Sequence, residues 1–91
     1  MKFEWDEEKR LANIRKHGID LVDAASIFEG DLVIMEDNRF NYGETRYIAL
    51  GSFKDKVIVV AYTERGNAIR LISARKATKY EETIYFNQIS N

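Results

Sequence analysis

Cysteine and proline are absent from the 91 residues, glycine occurs five times and histidine once. Without cysteine there is neither a disulfide nor a thiolate metal site. A single histidine leaves no histidine cluster for a metal ion. With no proline and little glycine, no linker is visible, and neither a repeat nor a low-complexity tract interrupts the chain. No apolar run approaches the roughly 20 residues that span a bilayer. The acidic opening Met1-Lys2-Phe3-Glu4-Trp5-Asp6-Glu7-Glu8 lacks the apolar stretch of a signal peptide. The expected location is therefore cytoplasmic, with no membrane partner. Length predicts a single domain over residues 1–91. A chain of this size buries only about 60–65% of its unfolded surface, so its core must be economical or be completed by a partner.

Hydrophobic residues make up 45% and charged residues 32%, a globular rather than a disordered balance. Net charge is −1, which by itself argues against a nucleic-acid binder, but the halves differ. Residues 1–44 hold 6 Lys/Arg against 11 Asp/Glu, or −5; residues 45–91 hold 8 against 4, or +4. A basic half can face phosphate while the acidic half faces elsewhere. Ordinary surface variation is the competing explanation.

Residues 3–5 alternate as a first strand. Asp6 is placed to cap a helix with Glu7 and Glu8 in its first turn. Leu11 and Ile14 share that helix's apolar side, Lys16 and His17 fall in its last turn, and Gly18 ends it. Asp20 opens a second helix with Leu21, Ala24, Ala25 and Phe28 at i, i+3, i+4 and i+7, closed by Gly30. From Asp31 the period becomes two. Strands are predicted over 32–35, 45–50, 57–63 and 69–74, with Glu36, Asp37 and Asn38 in a loop. Lys54 with Asp55, and Gly66 with Asn67, suit tight hairpin turns. Thr78 and Glu81 form a capping-box pattern that opens a last helix, with Tyr80, Ile84, Tyr85 and Ile89 toward the sheet. The predicted class is α+β: an antiparallel sheet with an N-terminal helical pair and a C-terminal helix, ordered β-α-α-β-β-β-β-α.

Closing both hairpins sorts the strands into two faces. One holds Ile48, Leu50, Val59, Ala61, Ile72 and Ala74, with Arg46, Thr63 and Arg70 toward the strand ends; it is expected to be the core. The other holds Tyr47, Tyr62, Ser73 and Arg75 among Ala49, Val60 and Leu71, and resembles a platform where tyrosines stack bases and arginine pairs with phosphate. A one-residue slip reverses this assignment. Tyrosine is also an ordinary strand former, and Arg46 beside Glu44 or Glu64 needs no further purpose. Four arginines, Arg46, Arg65, Arg70 and Arg75, with Lys76 beside them, nevertheless cluster on the meander. Converging guanidinium forks suit a phosphorane-like transition state. His17 fits a general acid or base and equally a charge offsetting a helix C-terminus. Glu36 and Asp37 could hold a magnesium ion or simply be solvated; no metal site is expected.

Together these residues resemble a family. Trp5-Asp6-Glu7 with Lys9 and Asn13, then Lys16-His17-Gly18-Ile19, resembles the opening signature of the BrnT toxins. Gly43-Glu44-Thr45-Arg46, the strand Val59-Val60-Ala61-Tyr62-Thr63-Glu64-Arg65-Gly66, and Arg70-Leu71-Ile72-Ser73-Ala74-Arg75-Lys76-Ala77 followed by Glu81 and Tyr85 continue it. Leu71 departs from the isoleucine common there. The resemblance implies a RelE-like fold and a type II toxin–antitoxin system, with RNA cleaved without a metal or cofactor. It implies a BrnA-like antitoxin, an RNA substrate, and operator DNA contacted only through the antitoxin. In that scheme the ribose 2′-OH attacks the adjacent phosphate. Arg46, Arg65, Arg70 and Arg75 form the clamp; Glu44, Glu64 or His17 is base or acid; Lys16, Tyr47, Tyr62, Lys76 and Tyr85 contact RNA. A module that binds RNA or protein on the same surface without cutting is the alternative.

Overall fold

The computed structural model describes residues 1–90. β1 (Lys2–Trp5) leads into α1 (Glu7–His17) and a single turn of α2 (Leu21–Ala24), which tightens into a 3-10 turn over Ala25–Glu29. Four strands follow, β2 (Val33–Asp37), β3 (Arg46–Phe53), β4 (Lys56–Arg65) and β5 (Ala68–Lys76), then α3 (Lys79–Ile89). The α+β class holds. The expected all-antiparallel sheet does not: the order is β1-β5-β4-β3-β2, and β1 runs parallel to β5. A parallel neighbour is reached only by a long crossover, and no local pattern in the sequence marks it.

The helix ends follow from their caps. The Asp6 carboxylate accepts from the backbone N–H groups of Glu8 and Lys9 at 2.9 and 3.2 Å. Asp20 accepts from Val22 at 3.0 Å. Thr78 and Glu81 form the reciprocal capping box, which satisfies two N–H groups left free at a helix start. Gly18 closes α1 at φ 71°, a left-handed conformation that costs glycine nothing. The turns at Lys54 and Asp55 and at Gly66 and Asn67 fall between the paired strand ends, as expected. β2 runs on through Asp37 rather than ending in a loop.

α1, α2 and the 3-10 turn pack on one face of the sheet, burying Leu21, Ala24 and Ile27 against Ala49, Ile58, Val60, Tyr62, Leu71 and Ala74. Small residues on the strands make room for that layer. At Gly51 even a Cβ would stand 2.7 Å from the Ile27 Cβ, so the close approach requires glycine. In α1 the sheet-facing group is polar. Asn13 is buried, donates to the carbonyls of Ile19 and Ala74 at 2.8 and 2.9 Å, and accepts from the Ala74 N–H at 3.1 Å. Leu11, expected inward, is exposed. On the opposite face α3 covers one half only, with Tyr85 and Ile84 over Leu50, Val57 and Val59. Tyr80 and Ile89, expected to pack there, are exposed.

The expected platform is therefore the helix-covered face, while Leu50, Val59 and Ala74 of the expected core are buried and Ile48, Ala61 and Ile72 only partly so. Tyr47 and Tyr62 lie on the helix-covered face, stacked at 5.4 Å between centroids, with Tyr62 edge-on to Phe28 at 5.2 Å. The β3–β4 register is the expected one, but β5 carries a bulge. Ala61 pairs with Ser73 while Tyr62 pairs with Leu71, leaving Ile72 as an extra residue. One inserted residue inverts the side-chain alternation beyond it. Ala74 joins the helical face, and Ser73 and Arg75 cross to the face that carries Arg46 and Arg70.

Candidate nucleic-acid interface

The half-sheet that α3 leaves uncovered presents one row of residues across all five strands. Glu4, Arg70, Thr63, Arg46 and Asp37 are consecutive cross-strand partners. Strands stand about 4.8 Å apart, so Arg46 and Arg70 flank Thr63 at a separation of about 10 Å between backbones. Thr63 is buried and donates to the Thr45 carbonyl at 2.6 Å. The neighbouring row of Met35, Ile48, Ala61 and Ser73 is partly exposed and gives the surface an apolar floor.

Each arginine expected in the clamp has a carboxylate partner, and the pairs are of two kinds. Arg75 grips Glu81 through both nitrogens at 2.8 and 2.9 Å. That carboxylate also accepts from the Thr78 N–H at the cap of α3, and Arg75's guanidinium holds its pKa down to about 2. Arg75 thus anchors a helix. The other pairs are looser and single: Arg46 to Glu44 at 3.3 Å, Arg65 to the same carboxylate at 3.6 Å, and Arg70 to Glu4 at 3.7 Å. Partly exposed pairs of this kind contribute about 0–1 kcal/mol, so an incoming phosphate can displace them at little cost. Arg46 also lies over the Tyr42 ring, 4.1 Å from its centroid. Tyr42 and Arg39 in turn bind Asp37 at 3.0 Å and 2.9 Å. The Arg39 guanidinium holds the Asp37 carboxyl well below the usual carboxylate range.

Several expected contacts are not brought to this surface. Tyr62 and Tyr85 are buried, and burial pushes both phenols above their ordinary pKa. The Tyr85 hydroxyl donates to the Asp31 carbonyl at 3.0 Å, so neither ring offers a stacking face. Tyr47 is half-buried against the helical layer. Glu64, one position from Thr63, points to the helical face. Glu36 and Asp37 alternate to opposite faces, and both Asp37 oxygens are occupied. Among the described residues no three histidine or acidic side chains gather to hold an ion.

His17 and Lys76 lie elsewhere. Asn13 ties the end of α1 to β5, and the loop after α1 therefore sits against the β3–β4 hairpin. A cleft of about 380 Å³ opens there, lined by His17, Gly18, Ile19, Phe53, Lys54, Lys56, Ile58 and Lys76. Lys16 precedes it in sequence without lining it. The expected site thus separates into an arginine row on one face and a lysine–histidine cleft on the other, at opposite ends of the sheet. Lys54 and Lys56, Glu4, and the buried Asn13 were not expected among the site residues. A lysine in a two-residue turn and another just after it were a readable signal for the first pair; Glu4 needed the parallel pairing.

A mixed five-stranded sheet with helices on both faces and two separate groups of basic side chains defines a small α+β protein. The chain belongs to the BrnT family. Residues 5–81 match the family described as ribonuclease toxin, BrnT, of type II toxin–antitoxin system. It is similar to the Brucella abortus ribonuclease toxin BrnT, known from a 1.1 Å crystal structure, at 33% identity and a TM-score of 0.71 over 87% of this chain and 99% of that one. No curated protein matches it. Membership of such a family implies a protein antitoxin and an RNA target. Among the described residues no helix is long and apolar enough to cross a membrane.

Proposed function

We infer that this chain is a metal-independent endoribonuclease toxin with a RelE-like architecture that inhibits translation by cutting RNA at the arginine row. The observation that carries this reading is that Arg46 and Arg70 share one uncovered face, with Arg65 joined to Arg46 through Glu44. A phosphodiester seated between the two strands receives paired donors from guanidinium groups. These donors favour the doubly charged phosphorane over the singly charged ground state. Glu44 accepts the proton of the ribose 2′-OH, the 2′-oxygen attacks phosphorus, and the bond to the 5′-oxygen breaks. Water at this open surface supplies the proton to the leaving oxygen, giving a 2′,3′-cyclic phosphate and a 5′-hydroxyl. Of the three groups expected as base or acid, Glu44 alone adjoins the row; Glu64 faces away and His17 lies in the cleft. Arg75 supports the site by fixing α3.

The antitoxin, BrnA-like in this reading, covers part of the basic surface with acidic and apolar side chains. Operator DNA is reached only through it. A non-catalytic binding module is the second reading, favoured by the carboxylate partner at each of Arg46, Arg65, Arg70 and Arg75. The two separate in one experiment: purified protein with total RNA in EDTA. Cleavage that survives chelation and is lost in Arg46→Ala supports the nuclease; intact RNA at high protein concentration supports the binding module. Arg75→Ala is the poorer probe, because it also releases α3.

A further inference from the structure

The lysine–histidine cleft is unlike the arginine row in one decisive respect: its cations have no carboxylate partners, and Lys54 lies instead over the Phe53 ring, 5.3 Å from its centroid. Lys54, Lys56 and Lys76 are exposed, none of the cleft's lining residues is a carboxylate, and none of these lysines nor His17 forms an ion pair among the described residues. Asp55 sits between Lys54 and Lys56 in the turn without pairing to either. A need to offset the C-terminal dipole of α1 does not account for three extra lysines. That dipole amounts to about half a charge, and Arg15, Lys16 and His17 already occupy the last turn.

The backbone holds the arrangement at a cost. Lys54 and Asp55 both adopt left-handed conformations, at φ 49° and 62°, where glycine, asparagine and aspartate are usual and lysine is not. Such strain persists where the surrounding structure over-determines it and gathers at functional positions. On the other side of the cleft, Asn13 pins both Ile19 and Ala74, two residues before Lys76. The floor is apolar and includes an aromatic ring, Phe53, with Ile19 and Ile58. A hydrophobic floor with an aromatic face beneath a cationic rim suits a nucleotide, its base taking the place of Lys54 over Phe53 and its phosphate drawing that lysine to the rim with the others. A peptide of acidic residues alone would use the rim and leave the floor idle.

The geometry points to a second RNA subsite in this cleft, where one nucleotide of the strand outside the cut is held by Lys54, Lys56 and Lys76, with its base on Phe53 and His17 beside its phosphate. This rests on the ribonuclease reading. Lys76 lies about 20 Å along β5 from Arg70, at roughly 3.3 Å per residue, so one strand passing round the sheet reaches both surfaces. A single-stranded phosphate neutralised by lysine gives a salt dependence of about 0.7 per contact.

The test uses a 2′-O-methyl RNA octamer, which cannot be cut, titrated against the full chain. Because the chain has one histidine, the imidazole resonance of His17 reports on the cleft alone. The expected result is a shift of that resonance on titration, about tenfold or more weaker binding in the triple variant Lys54→Ala/Lys56→Ala/Lys76→Ala, and a salt slope smaller by about 0.7, the loss of one phosphate contact. The control Lys9→Ala, on the exposed side of α1, should bind as the wild type does. All four positions are exposed, so the variants should fold. Equal affinity in the triple variant with cleavage intact overturns the subsite and leaves the ribonuclease reading standing. A 5′-monophosphate binding as tightly as the octamer assigns the cleft to a free nucleotide and overturns its place on the RNA path. Binding of polyglutamate but not of the octamer, with cleavage intact, makes it a surface for an acidic partner and also overturns the proposal. Neither binding nor cleavage by the wild type overturns both readings.

Discussion

Two cationic surfaces on one small sheet solve the problem of like charge in opposite ways. The arginine row is balanced locally: Arg46 and Arg65 share the Glu44 carboxylate and Arg70 has Glu4, all within 3.7 Å. The cleft is unbalanced, with three lysines and a histidine around an apolar floor. Balanced cations are oriented in advance and hold their direction when a phosphate replaces the carboxylate. Unbalanced ones gain most from an anion and hold it without fixed geometry. The first suits charge that develops at a defined point; the second suits retention of a strand.

The sharpest way to separate the surfaces is to remove Asn13. Its amide satisfies the buried N–H and carbonyl of Ala74 and the carbonyl of Ile19. Leaving buried backbone groups unpaired costs about 1–3 kcal/mol. Asn13→Ala is expected to lower stability by about 2–3 kcal/mol in urea unfolding and to move the His17 resonance. Amide resonances around Arg46 and Arg70 should stay in place.

The next effect concerns Arg75. Folding favours the ionised form of Glu81, whose pKa falls from an ordinary 4.5 to about 2. Its contribution is full above pH 4.5 and fades as pH falls toward 2. Acid unfolding followed by circular dichroism should show this leg, and Glu81→Gln should remove it. Arg75→Ala is expected to cost about 1 kcal/mol, since the pair is partly solvent-screened, and to loosen α3.

Smaller still is the hairpin strain. Replacing Asp55 at φ 62° by glycine should stabilise the fold by about 0.5–1 kcal/mol, readable as a raised Tm. Smallest of all is the loose pair. Glu44→Gln should change stability by less than about 0.5 kcal/mol while abolishing cleavage. A large loss of stability there would make Glu44 structural and erase the contrast between the surfaces.

How much of this was legible follows from range along the chain. The caps at Asp6, Asp20 and Thr78 and the hairpins at Lys54 and Gly66 depend on neighbours within a few residues, and all were readable. The parallel pairing of β1 with β5 joins the two ends of the fold and has no local mark. The bulge at Ile72 is one residue in an otherwise regular strand, yet it carries Arg75 to the side of Arg46 and Ala74 to the core. The faces themselves sorted correctly up to that residue. Both faces hold core, because small residues, Ala49, Gly51 and Ala74, admit the helical layer closely on one, while Leu50 and Val59 are buried under α3 on the other. Of the site residues, Arg46, Arg70 and Glu44 were found together. Tyr62 and Tyr85 were lost to the core, and Lys54 and Lys56 passed unnoticed as turn residues.

The division of labour is tested most directly by steady-state cleavage of one defined RNA in EDTA. Arg46→Ala should lower kcat by about a hundredfold or more with KM little changed. The triple lysine variant should raise KM about tenfold with kcat within about twofold of wild type. The opposite pattern, with kcat lost in the lysine variant and kept in Arg46→Ala, would place the chemistry in the cleft and contradict the account.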